Sequence, residues 1–177
     1  MIFLTLGTHQ PFDRLVEAVD AWCAQNPGVE VFGQVPFEKK SYRPVHFETA
    51  THLHIDEYRR LFASSRFVVA HAGMGSIITA LSFCRPIVLF PRRAALQEQR
   101  NDHQLATVNR FRGKSGVHVA EDRDELFTVM TKLDAAVRPA GSPADGRTPA
   151  DPNLSQFAEA RFVEALRAAI LPAQRAG

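Results

Sequence analysis

The feature that most constrains this chain is a regular alternation of short apolar runs with amphipathic segments. Apolar runs of strand length, bounded by turn residues, read as strands buried on both faces. Longer stretches with an apolar residue every three or four positions read as helices, and the alternation of the two marks βαβ units around a parallel sheet. Residues 2–6 form the first such strand, ending at Gly7-Thr8. Phe12, Leu15, Val16, Val19, Trp22 and Cys23 follow at helical spacing, with Asp13 and Glu17 near the positive end of that helix. A second strand over 29–34 follows the turn Asn26-Pro27-Gly28, and a third falls over 45–50 or over 52–55. Asp56 is placed to cap a helix whose apolar side is Tyr58, Leu61 and Phe62. Further strands fall at 67–70, 86–90 and 117–120, separated by a helix ending near Cys84 and by a loop and helix from Glu98 to about Phe111. Asp122 with Glu125 has capping-box spacing, and Leu126, Val129, Met130, Leu133 and Val137 line the helix it opens.

Past residue 137 the chain changes character. Pro139, Gly141, Pro143, Gly146, Pro149 and Pro152 mark 138–153 as a linker. Beyond it Leu154, Phe157, Ala158, Phe162, Ala165, Leu166, Ala169 and Ile170 make one stripe along a tethered helix at 154–170. That stripe has to be buried, on its own domain or on another chain. The 177 residues suit a single domain over 1–137 with a real core. A net charge of +2 gives no argument for a nucleic-acid partner. Basic residues do cluster at Arg92-Arg93, Arg100 and 110–114, as a solvated rim or as a face for phosphate or a membrane surface. Cys23 and Cys84 sit in apolar helical patterns and read as buried thiols of a reducing compartment. The apolar start is only a strand long, with no basic leader, and no run approaches the ~20 residues needed to span a bilayer. A cytoplasmic protein is expected, reaching the membrane only through a partner or a surface contact.

The strongest local motif is Val68-Val69-Ala70-His71-Ala72-Gly73-Met74-Gly75-Ser76, a buried strand running through paired glycines into a helix that Ser76 can help cap. Glycines let backbone approach a ligand with no Cβ in the way, and a helix start aims unpaired N–H groups and positive dipole at an anion. A diphosphate suits that arrangement. There is no Gly-Lys-Ser/Thr ending, as a P-loop needs. The first turn, Gly7-Thr8-His9-Gln10, lacks the three glycines of a dinucleotide fingerprint. A second motif, Glu98-Gln99-Arg100-Asn101-Asp102-His103-Gln104, follows the carboxyl end of the strand at 86–90, where open α/β sheets bind ligands. Its carboxylates and amides can bridge sugar and ribose hydroxyls, Arg92 or Arg100 can face phosphate, and Asn101 or Asp102 can equally cap the next helix. In the third motif, Gly7-Thr8-His9, Thr8 can donate to phosphate and His9 is a candidate base. His52 and His54 have metal-compatible spacing without a carboxylate or cysteine beside them, so no metal is expected.

Three stretches in this order, residues 2–15, the turn His71, Ala72, Gly73, Met74, Gly75, Ser76, and Pro91-Arg92-Arg93 through Asn101-Asp102-His103-Gln104, resemble the C-terminal domain of family 28 glycosyltransferases. The likeness is greatest to the small free-standing Alg13-like subunits and the PssE/EpsE-like components of exopolysaccharide synthesis. It implies an α/β fold, a single Rossmann-like GT-B half-domain with a mostly parallel sheet flanked by helices. It also implies a UDP-sugar donor, no cofactor or metal, and a membrane-anchored Alg14/PssD-like partner that binds a polyprenyl-diphosphate-linked sugar acceptor. The reaction implied is inverting transfer of a sugar, glucuronic acid in the nearest look-alikes, with the C-terminal helix helping to dock the subunits. The resemblance places the diphosphate on the 71–76 turn and the donor sugar against Asp102, His103 and Gln104. Where relatives carry an acidic residue for the ribose, this chain has Thr79, and Glu98 is the substitute. The rival functions are a stand-alone sugar-nucleotide enzyme of GT-B-like fold and a non-catalytic binding module.

Overall fold

The computed structural model describes residues 1–7 and 10–137. Its elements are β1 (Ile2–Thr5), α1 (Asp13–Gln25), β2 (Val31–Gln34), β3 (Glu48–Ala50), α2 (Ile55–Ser64), β4 (Val68–His71), α3 (Met74–Ser82), β5 (Ile87–Phe90), α4 (His103–Phe111), β6 (Val117–Val119) and α5 (Arg123–Val137). All six strands join one parallel sheet in the order β3-β2-β1-β4-β5-β6. Alternation along the strands gives each face its own core. Ile2, Leu4, Val69, Val88 and Phe90 pack against α1 and α5 on one side. Phe3, Val68, Ala70, Ile87 and Leu89 pack against α2, α3 and α4 on the other. The chain builds outward from β1 to β3, then returns to β4 beside β1 and builds the opposite way. Between β1 and β4 the flanking connections diverge, leaving a crevice at the carboxyl ends of those strands.

Several expectations need correction. The third strand lies inside the 45–50 window, whereas 52–55 is the approach to α2. The cap of α2 is His54, whose Nδ1 accepts from Asp56 N at 3.5 Å, so Asp56 sits within the first turn. Cys84 is exposed, not buried: it follows α3 at a left-handed φ of 52°, while Cys23 is buried as expected. Asp122 does cap α5, accepting from Glu125 N at 2.9 Å. Glu125 reaches back to Glu121 N at 2.8 Å, one residue earlier than a reciprocal box would place it. The linker at 138–153 and the helix at 154–170 fall outside the described residues.

No helix joins β2 to β3. Residues 35–47 cross as coil, packing Phe37, Tyr42 and Phe47 on the α1 side of the core. Coil lacks the internal hydrogen bonds of a helix, and a buried carboxylate supplies replacements. Asp20 on α1 is 1% exposed and accepts from Tyr42 Oη at 2.7 Å, His46 N at 2.8 Å and Val45 N at 3.1 Å. Burial pushes the Asp20 pKa up, but the hydrogen bonds from Tyr42, His46 and Val45 outweigh it and hold the carboxyl below its ordinary value. Its contribution is therefore present at neutral pH and is lost as pH falls through the folded pKa. Replacing Asp20 with Ala is expected to lower stability at pH 7 by about 3 kcal/mol, and Tyr42→Phe by about 1 kcal/mol. Urea denaturation of the variants beside the parent chain measures both.

Candidate functional site

The crevice between β1 and β4 opens into a cleft of about 530 Å³. Its middle is built by Gly7, which ends β1, and by the turn from β4 into α3. Gly7 adopts a φ of +74°, a backbone conformation that favours glycine. A Cβ there would lie 3.0 Å from His71 Cε1, and one on Gly73 would lie 2.2 Å from His71 Nε2. These two glycines therefore make room for the buried His71 ring, not for a ligand. Gly75 differs. A Cβ on it would meet nothing within 4 Å, and the residue lines the cleft. Gly73 is the N-cap of α3, and no side chain among the described residues caps it. Ser76 is not the cap, because it sits in the third helical position and is buried. The first-turn amides of α3 thus face the cleft beside an open position, the arrangement that takes an anion.

Charge around that point is one-sided. Among the described residues no Asp or Glu lines the cleft. Burial lowers the pKa of Arg92 to about 10, with Glu98 opposing, so the guanidinium stays charged at neutral pH. It donates to the carbonyls of Pro11 at 2.6 Å and Gln10 at 2.7 Å and lies 4.4 Å over the Phe12 ring. Burial, helped by the Arg92 charge and opposed by the backbone of Thr5, pushes His71 down to about 4. The imidazole is neutral at physiological pH, and its Nδ1 is buried without a hydrogen-bond partner among the described residues.

The two ends of the cleft contrast. On the β3 side the wall is Leu53, Ile55 and Tyr58; on the β5 side it is Arg92, Gln99 and Gln104, with Gln10 nearby. Gln104 Oε1 accepts from both Ala72 N at 3.2 Å and Arg92 N at 3.0 Å, joining the two loops. Gly7, His71, Gly75, Ser76, Arg92 and Gln104 are brought together at the cleft. Ala72 is buried behind it, and Met74 is 37% exposed on the rim.

Glu98, read as the substitute ribose contact, does not line the cleft. Its carboxylate takes Arg14 Nε at 2.6 Å, Arg14 Nη2 at 2.9 Å and Arg93 N at 2.8 Å. Asp102 is likewise engaged locally, accepting from Ala94 N at 2.9 Å, while Asn101 accepts from His103 N at 3.3 Å at the start of α4. Asn101, Asp102 and His103 are exposed, and none lines the cleft. Thr8 and His9 fall outside the described residues. Tyr58, Leu53, Ile55, Gln10, Gln34 and Gln99 line the cleft without having been singled out as site residues. Tyr58 had a signal in its hydroxyl, unneeded on the apolar side of a helix. Gln99 lay within the polar run after β5.

The fold is that of a single Rossmann-like half-domain of GT-B type. The chain matches the glycosyltransferase family 28 C-terminal domain over residues 1–158 and belongs to that family. Among solved structures it is similar to the glycosyltransferase of kitacinnamycin, at 18% identity and a TM-score of 0.61, over 94% of this chain and 39% of that one. It is also similar to the C-terminal CMP-Kdo binding domain of WaaA from Acinetobacter baumannii, at 14% identity and a TM-score of 0.51, over 94% of this chain and 89% of that domain. The chain thus spans well under half of the kitacinnamycin enzyme. No curated protein matches significantly. Among the described residues no helix is long and apolar enough to cross a membrane.

The two glycines of the turn should part under substitution. Gly73→Ala drives a Cβ into the His71 ring and is expected to destabilise by about 1–3 kcal/mol. Gly75→Ala meets no atom and, in a helix, is expected to be neutral or stabilising by up to about 1 kcal/mol. Thermal denaturation separates them. Because the folded His71 pKa is depressed from 6.5 to about 4, the unfolded chain binds more protons in that window. The stability tied to neutral His71 is full above pH 6.5 and falls as pH drops toward 4. In His71→Asn that acid limb should flatten, as a series of urea melts across the window would reveal.

Proposed function

We propose that this chain is the nucleotide-sugar-binding half of an inverting glycosyltransferase that takes a UDP-sugar donor. The observation that carries the reading is the uncapped start of α3, opening through Gly75 onto a cleft that no carboxylate among the described residues lines, with Arg92 in its wall. A diphosphate there meets amide donors, the helix dipole and a nearby cation. The polarity of the cleft orients the rest of the ligand. The uracil ring goes to the apolar end at Leu53, Ile55 and Tyr58, and the sugar to the amide-rich end at Gln99 and Gln104. Thr79 lines the cleft between them, and its Oγ1 donates to Gly75 O at 2.8 Å. With its proton committed, that hydroxyl is left to accept from a ribose hydroxyl.

In the reaction, an acceptor hydroxyl oxygen bonds to the anomeric carbon as the bond from that carbon to the UDP oxygen breaks. Charge then grows on the departing diphosphate, where the start of α3 stabilises it. The acceptor proton needs a base. Among the described residues lining the cleft none serves, because His71 is too weakly basic and Arg92 is a cation. We assign the base to His9 or to the acceptor-binding half. That half is taken to be a separate, membrane-anchored Alg14/PssD-like subunit carrying a polyprenyl-diphosphate-linked sugar in exopolysaccharide synthesis. Ile55, Met74 and Leu96 support an interface around the cleft: they are 59%, 37% and 53% exposed, each on the helical turn that follows β3, β4 or β5. Glucuronic acid is the donor sugar proposed from the family likeness. Arg93 is paired with Glu121 and Arg100 is exposed outside the cleft wall, so Arg92 is the cation left to face its carboxylate.

Calorimetric titration with UDP tests the reading. The parent chain should bind, and Gly75→Trp should weaken binding at least ~10-fold while its thermal transition stays intact. Sugar transfer should require the partner and a membrane acceptor. Undiminished UDP binding by folded Gly75→Trp would sink the assignment, and turnover by the chain alone would favour a stand-alone enzyme.

A further inference from the structure

A ribose carries two free hydroxyls, and a site that selects strongly for both must offer each of them a hydrogen-bond acceptor. The cleft wall between the start of α3 and the apolar end is poor in such groups. Among the described residues no carboxylate lines it. Of the polar side chains there, Gln34 turns its oxygen to the Thr5 hydroxyl at 2.9 Å, and Ser76 is buried. Thr79 differs from these. It is half-buried, it lines the cleft, and its Oγ1 donates its one proton to Gly75 O at 2.8 Å. With that proton committed, the oxygen faces a ligand as an acceptor only.

Thr79 is also well placed for a ribose. It stands four residues after Gly75, so the two share one face of α3, about 6 Å apart along the helix axis. A nucleotide whose diphosphate sits at the first turn carries its ribose past the second on the way to Leu53, Ile55 and Tyr58. A single oxygen of this kind serves one hydroxyl, not two, and it is uncharged. A neutral hydrogen bond contributes from about twofold to about tenfold in affinity, whereas one to an ionised group reaches about a hundredfold.

We infer that this single uncharged acceptor leaves the site tolerant of deoxyribose, so that the chain binds deoxyribonucleoside diphosphate sugars as well as ribonucleoside ones. The inference rests on the nucleotide-sugar reading above and widens its donor class. Where Thr79 holds the hydroxyl that deoxyribose keeps, nothing is lost. Where it holds the one that deoxyribose lacks, one neutral bond is lost. Either way the deoxyribonucleotide binds within about tenfold of the ribonucleotide.

Calorimetric titrations of the parent chain, Thr79→Val and Thr79→Ser test it, using UDP and its two monodeoxy analogues, each lacking one ribose hydroxyl. The uracil ring and the diphosphate are common to all three. In the parent, one analogue should bind about three- to tenfold more weakly than UDP, and the other within about twofold of it. Thr79→Val keeps the shape without the hydroxyl and should bind all three ligands within about twofold of one another, while Thr79→Ser should keep the parent's preference. A merely structural role for Thr79 would weaken the three ligands alike and leave their ratios as in the parent, and that result overturns the inference. So does a parent that loses more than about tenfold on either analogue, that loses on both, or that binds all three equally, and so does a Thr79→Ser that has lost the preference. If the folded parent binds none of the three, the nucleotide-sugar reading itself fails. If it binds UDP and only the ratios are wrong, the tolerance for deoxyribose alone is dismissed.

Discussion

Gln104 Oε1 accepts hydrogen bonds from Ala72 N–H and Arg92 N–H, one just past the end of β4 and the other just past the end of β5. The last paired residues of those strands are His71 and Phe90, so beyond them the sheet offers these two amides no ladder partner. A parallel sheet has this difficulty at every carboxyl end, because its chains must leave in loops whose backbone groups still need satisfying. One buried amide from the first turn of α4 answers it for both loops at once. The separation of the glycine turn from the Arg92 loop, and hence the width of the cleft, depends on that joint. A shorter or apolar side chain at 104 would free two buried donors and let the loops part.

Among the described residues, acidic groups are kept out of the cleft and used behind it. Glu98 binds Arg14 and the Arg93 amide, Glu121 pairs with Arg93 and Arg112, and Asp102 caps the turn at Ala94. Each carboxylate fixes a loop that carries a cleft residue, and none adds negative charge where a diphosphate would sit. Arg92 shows the same division. Its guanidinium is committed to the Gln10 and Pro11 carbonyls, so it shapes the loop after β1 while its charge still reaches the cleft. Two jobs of different range, contact hydrogen bonding and longer-range electrostatics, are met by one buried cation.

The sheet was legible because strands buried on both faces leave continuous apolar runs, and the helices between them leave a clear spacing of Leu, Val and Phe. The turn at 71–76 stood out as a candidate site because paired glycines at the start of a helix are unusual enough to need a reason. Which reason applied to which glycine was not legible. Gly73 yields to the His71 ring and Gly75 to open space, and that depends on where an imidazole folds, which no local pattern records. Glu98 was misassigned for a related reason. Its partner Arg14 is 84 residues away, and a carboxylate in a polar run looks the same whether it meets a ligand or an arginine. Tyr58 was hidden by its own helix, since a residue on an apolar face reveals nothing of where its hydroxyl points. Asp20 was misleading in the opposite way: an ordinary helical acid in sequence, it replaces the missing helix between β2 and β3.

On the donor-binding reading, the described cleft wall combines a helix start open to an anion with a lack of basic groups, and the two properties belong together. An activated sugar held where a base is available is exposed to attack by water. Here the one imidazole in the described cleft wall is held neutral at a pKa of about 4, and the remaining polar side chains are amides, hydroxyls and a cation. None takes a proton from water near neutrality, so on the donor-binding reading the nucleotide sugar can be bound without being hydrolysed. The burial that weakens His71 as a base also keeps it uncharged, where a lone Lys would have brought a second strongly hydrated charge. On that reading, chemistry waits for whatever supplies the base, either His9 or an acceptor-binding half docked over the exposed Ile55, Met74 and Leu96. A donor half built this way gains selectivity for its acceptor from what it leaves out.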